Sequence, residues 1–163
     1  MKQVDLEIVK EFDAPVASVW RAWSDAQWLK QWWGPDRFSC PSAEVDFREG
    51  GRAVVAMLFP KDMGGVTMYN LFEFKKIVPM ESIEFTNNLC DKQGKAADPA
   101  ALGMPPDFPV NQRVLLTFQD LGQGRSRLTV TECKWTPGQM MKMAKMGMEQ
   151  SLEKLAALPG LRG

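Results

Sequence analysis

Glu132 is the residue whose type and position bear most directly on chemistry. Leu128, Val130 and Glu132 occupy alternate positions of one run, so a strand there turns all three to the same side. Asn70 stands in the same relation to Met68, Phe72 and Phe74. A carboxylate facing an apolar space holds its proton to higher pH, and it can bind a polar ligand group or hand a proton to one. The simpler expectation is that Glu132 ends its strand and reaches water or Lys134, because exposed carboxylates are the norm. No histidine occurs in the chain. That removes Ser-His-Asp and Cys-His nucleophilic catalysis, imidazole proton shuttling near neutral pH, and His-ligated metals. Any chemistry falls to carboxylates, lysines, the single tyrosine, thiols or bound water. Cys40, Cys90 and Cys133 are odd in number and far apart. They read as reduced, partly buried thiols, not as a disulfide framework or a zinc site. No metal and no cofactor is expected.

Two further groups have simple explanations. Arg48 and Arg52 flank Gly50-Gly51 beside Asp46, which reads as a surface ion cluster fixing a hairpin, at ~0–1 kcal/mol per pair. Neither Lys-Ser/Thr nor a helix start follows those glycines, so they are not a phosphate loop. Met143 and Met146, beside Met140, lie off the inward stripe of the last helix. They are either scattered surface methionines or a contact for a second copy or another protein, and a homodimer stays open.

The elements that must position these residues begin with a long C-terminal helix over Thr136–Leu158. Thr136 reads as its N-cap and Pro137 as its first residue, with Gln139 closing a capping box. Met141, Ala144, Met148, Ser151, Leu152 and Leu155 share one stripe of it. A first strand is expected over Val4–Phe12. A short helix follows Asp13-Ala14-Pro15, and Ser24 opens a second that carries Trp28, Leu29 and Trp32 inward. Five tryptophans lie between positions 20 and 33, and they read mainly as anchors pinning these helices to a sheet. Antiparallel strands are then expected over Phe38–Phe47, Arg52–Phe59, Thr67–Val78, Ser82–Asn87, Val110–Gln119 and Arg125–Trp135. The stretch 88–109 holds three prolines between 99 and 106. A loop that long in a compact domain is usually functional or mobile, and Asp98-Pro99-Ala100-Ala101-Leu102 suits one helical turn within it.

The fold class is therefore α+β, a strongly curved antiparallel sheet of six to seven strands around a C-terminal rod, in one domain over residues 1–163. With 45% apolar and 25% charged residues, and 20 basic residues against 20 acidic, the composition is that of a soluble globular protein. No basic stripe points to nucleic acid, and no run is long and apolar enough for a membrane span. Met1-Lys2-Gln3-Val4-Asp5 has no signal-peptide core, so a cytoplasmic location is the default expectation.

Asp13-Ala14-Pro15-Val16 with Val19-Trp20-Arg21-Ala22, and then Trp28–Pro35, resemble the opening of the activator of heat-shock-protein-90 ATPase homologue-like family. That family belongs to the START-like, birch-pollen-allergen-like helix-grip superfamily. Val45–Arg52, Pro79–Thr86 and Gly147–Leu155 continue the resemblance in family order. Two departures stand out: Met148 where relatives commonly have Trp, and an 88–109 loop longer than usual. The resemblance implies a helix-grip fold and, between sheet and helix, a cavity for a small hydrophobic or aromatic ligand.

Strand alternation supplies the candidate lining. Val55, Met57 and Phe59 come from one strand, and Met68, Asn70 and Phe72 from the next. Leu116, Phe118, Val130 and Glu132 come from the last two, and Met141, Ala144 and Met148 from the helix. Trp33 completes the lining, and the tryptophan-rich segment of the two short helices with the 88–109 loop would guard the entrance. A filled core also explains such a list. The cavity reading rests on the volume a bent sheet and one rod enclose, and on methionines that adapt to varied guests. Two further readings come with the resemblance: a chaperone-interaction module, and an enzyme acting on a hydrophobic, polyketide-like substrate. The family's eukaryotic chaperone activators use an additional domain, and an enzyme here would depend on pocket carboxylates or thiols.

Overall fold

The computed structural model describes residues 2–162. Strand β1 (Val4–Phe12) leads into helices α1 (Val16–Ser24) and α2 (Ala26–Trp32). Strands β2 (Ala43–Val45), β3 (Arg52–Leu58), β4 (Thr67–Val78), β5 (Ser82–Cys90), β6 (Gln112–Gly122) and β7 (Arg125–Trp135) follow, and α3 (Gln139–Ala156) ends the chain. The strands form one antiparallel sheet in the order β1-β7-β6-β5-β4-β3-β2. Its concave side carries the core, in which Phe72, Phe85, Leu116, Val130 and Ile8 meet Trp20, Trp23 and Trp32 of α1 and α2 and Leu152 and Leu155 of α3. This is the expected α+β helix-grip arrangement.

Several boundaries differ from expectation. Helix α3 starts two residues late, with Gly138 rather than Thr136 before it and no side-chain cap. Gly138 takes φ 155 and ψ −162, a conformation open essentially to glycine alone, so the chain turns there before it can coil. In α2 the cap is Asp25, which accepts from the Gln27 N–H at 2.8 Å. Ser24, the expected cap, instead donates its hydroxyl to Trp20 O. The expected strand over 38–47 shrinks to Ala43–Val45 plus a Ser39–Leu58 bridge; Pro41 lies between them and has no N–H to give a ladder. Arg52 takes no part in an ion cluster with Asp46. Asp46 pairs with Arg48 alone, while Arg52 donates to Gln93 O and Gly94 O and so ties the start of the long loop to the outer sheet face. That loop does contain the 3-10 turn Pro99–Leu102.

Candidate functional site

A bulge in β7 builds the centre of the site. Val4 pairs with Trp135 and Leu6 with Glu132, so two steps on β1 span three on β7. Lys134 takes the extra residue's left-handed conformation, φ +60. Simple alternation puts Trp135 and Glu132 on opposite faces. The bulge brings them together, and Trp135 Nε1 donates to Glu132 Oε1 at 3.1 Å. Glu132 is 9% exposed, so it does not reach water and Lys134 in the expected way. Lys134 is exposed and its backbone N–H donates to Asp5. Burial pushes the Glu132 carboxyl up to about 7, against the smaller opposing pull of the indole hydrogen bond.

Carboxamides extend this polar point across the sheet. Asn70 lies two residues before the inward-facing Phe72; Phe72 pairs with Asn87, and Asn87 pairs with Gln112. Gln112 precedes by two Val114, the partner of Glu132. All four polar residues therefore share the concave face. Asn70 Nδ2 donates to Asn87 Oδ1 at 3.0 Å, and Gln112 Nε2 to Cys133 O at 3.1 Å. Asn87, Gln112 and Trp135 were absent from the sequence-level list. The first two continue the alternation of Ile83-Phe85 and Val114-Leu116, so that signal was available. Nothing in Glu-Cys-Lys-Trp announces a bulge.

The expected lining residues divide by depth. Val55, Phe72, Leu116, Phe118 and Val130 are buried in the core. Trp33, Met57, Phe59, Met68 and Asn70 are half-buried, as are Met141, Ala144 and Met148 on α3. Only the second half of α3 seats fully, through Ser151, Leu152 and Leu155. Two hollows open elsewhere. One of about 560 Å³ lies between the loop at Phe108 and the β6–β7 end, bordered by Asp5, Gln112, Arg113 and Lys134. The other, of about 360 Å³, lies between β1 and α3. Gln112 joins the first to the carboxamide row, and Phe108 lies edge-on to Trp135, ring centres 6.3 Å apart.

Aromatic rings and one lysine hold the turn after α2 beside these residues. Trp33 packs edge-on against Phe72, Trp23 and Trp32 at 5.4–5.9 Å. Trp32 Nε1 donates to Ala22 O, whereas Trp23 Nε1 and Trp33 Nε1 are sealed without a partner among the described residues. Lys154 Nζ donates to Gly34 O, Pro35 O and Phe38 O at 2.9–3.3 Å. Desolvation lowers its pKa, against nearby Asp36 and Cys40. Cys40 and Cys90 are pushed to about 11, mainly by burial. Among the described residues no cluster of three or more His, Cys, Asp or Glu is placed to hold a metal.

The family model for activator of Hsp90 ATPase homolog 1-like protein matches residues 13–160. The chain belongs to that family. A crystal structure from Mycobacterium smegmatis superposes with a TM-score of 0.75 at 23% identity, over 97% of this chain and 92% of that one. A solution structure from Arthrobacter aurescens gives 0.74 at 29%, over 95% and 85%. The AHSA1 protein of Silicibacter pomeroyi gives 0.72 at 22%, over 94% and 95%. No curated protein matches the chain in sequence. These structural likenesses establish the helix-grip fold, and a fold does not by itself fix what a protein does.

Proposed function

We propose that this family member binds a small, largely apolar ligand, aromatic by preference, between the concave sheet and the first half of α3. Glu132 supplies the main polar contact. The observation that carries this reading is a buried carboxyl on the concave face, with one indole N–H as its hydrogen-bond partner among the described residues. Its other oxygen accepts no hydrogen bond from the described residues, and in this reading it takes a donor from the ligand. In this reading Trp33, Met57, Phe59, Met68 and Asn70 form the mouth, opposite Met141, Ala144 and Met148. Val55, Phe72, Leu116, Phe118 and Val130 form the floor. The half-buried methionines support it, since their flexible side chains can part for a guest. Three buried, unpaired thiols suit a reducing setting such as the cytoplasm.

Calorimetric titration of the wild type and Glu132→Gln with naphthol tests the proposal. The expected result is wild-type binding, weakened about tenfold in the variant, the loss of one hydrogen bond to a charged group. Equal affinities would remove Glu132 from the site, and no heat with either protein would count against the pocket. A second reading, contact with a heat-shock chaperone, draws on the family description alone. Stimulation of a purified chaperone ATPase by this chain, unaffected by naphthol, would favour it.

A further inference from the structure

The hollow of about 560 Å³ between the loop at Phe108 and the β6–β7 end is bordered by none of the residues assigned above to the apolar ligand. We propose that it is a second, separate site, for a zwitterion with an apolar side chain, that is, a free α-amino acid. Its size falls in the ordinary range for small-ligand sites.

The charges at its border select the class. Asp5, Asp107, Arg113 and Lys134 all line it. Arg113 is already committed: its Nε and Nη2 donate to the two carboxylate oxygens of Glu84 at 3.0 and 3.3 Å, and its Nη1 meets Cys133 Sγ. Lys134 and Asp107 form no ion pair among the described residues. Asp5 Oδ1 accepts from the Lys134 backbone N–H at 3.1 Å, which holds the Asp5 carboxylate beside the bulge that carries Lys134. The two side chains nevertheless do not pair with each other, so one charge of each sign is left open at neighbouring points. A ligand with a single charge is opposed by the group of its own sign. A ligand with an ammonium and a carboxylate on one carbon satisfies Asp5 and Lys134 together.

Gln112 adds a fixed polar point. It is 7% exposed, and its Nε2 donates to Cys133 O. Its Oε1 and its second N–H have no partner among the described residues, leaving one acceptor for an ammonium and one donor for a carboxylate. The loop supplies an apolar wall. Phe108 is half-buried there, and Val110, at 58%, is the most exposed large apolar side chain among the described residues. An apolar side chain on the ligand would take that surface out of water.

Amide-resolved NMR titration of the full chain with L-phenylalanine, phenethylamine and 3-phenylpropionate tests the assignment. Phenylalanine should shift amides in 107–113 and 133–136 saturably, and each analogue, lacking one charge, should bind about tenfold more weakly. Lys134→Met should weaken phenylalanine about tenfold without weakening phenethylamine. Asp5→Asn, which keeps an oxygen for the Lys134 N–H, should weaken phenylalanine similarly without weakening phenylpropionate. The same spectra report whether each variant is folded, and the wild type with its three ligands decides the matter even if neither is. Either analogue binding the wild type as tightly as phenylalanine would overturn the zwitterion. Saturable shifts only elsewhere, or none at all, would overturn the site, as would unchanged phenylalanine affinity in both folded variants.

Discussion

Glu132 titrates against folding. In the folded chain burial holds its proton to about pH 7, while the unfolded chain releases it near the ordinary value of 4.5. Between those values the folded state binds more protons. The stabilising contribution is therefore complete below about pH 4.5, falls as pH rises towards about 7, and is flat above. The gap corresponds to about 3 kcal/mol. Glu132→Gln should remove it: denaturant midpoints across that window should flatten, and the variant should gain stability at mildly alkaline pH. An unchanged slope would mean another group carries the titration. Trp135→Phe deletes the indole that favours the ionised form, so it should move the Glu132 transition to still higher pH, readable by carboxyl NMR. Alternation alone shows which way Glu132 points. Its burial depends on Trp135 arriving from the wrong parity, and that follows from the backbone at Lys134.

At the scale of elements, the turn over 34–38 hangs on α3. Lys154 supplies three hydrogen bonds to it, the Gln150 side chain accepts from the Asp36 N–H, and Pro35 lies against Gly147. Lys154→Met keeps the stem and removes the donors, leaving three carbonyls with water or nothing. It should cost about 1–3 kcal/mol and speed amide exchange across 36–39 more than elsewhere. Gly34→Ala should also destabilise. Gly34 sits at φ +109, and an added Cβ would meet Phe38 Cβ at 3.1 Å; a loss of about 1–2 kcal/mol in urea melts is expected. Strand existence was legible here because the alternation in β4 and β7 is long and regular. Helix starts shift by one and two residues, because Ser24 and Thr136 resemble caps that Asp25 and Gly138 replace. Lys154 carried no signal: a lysine on a helix reads as solvated until the turn that needs it is in place.

For the whole molecule, the family match and the sheet order agree with the chain-long resemblance in the sequence. What lies between sheet and helix was not legible, since the same inward residues fit a packed core or a pocket. Met143 and Met146 are 52% and 55% exposed on α3, a face open to a second copy. Sedimentation across a concentration series separates the two readings of these methionines: concentration-dependent dimerisation abolished by Met143→Lys marks a subunit contact. A wild-type monomer throughout would end the dimer reading.

The bulge at Lys134 makes the centre of the site a matter of chain length. One residue more in β7 than in β1 is what aims the indole of Trp135 at the carboxyl, whatever side chain the extra residue bears. Substitution scans across this segment would score Lys134 as dispensable to that contact. Shortening the chain there by that one residue would send Trp135 to the opposite surface and leave Glu132 without its donor, a lesion no exchange of side chains at that position reproduces. Among relatives, a gap of one in the alignment at this point would mark a change in what the fold can hold.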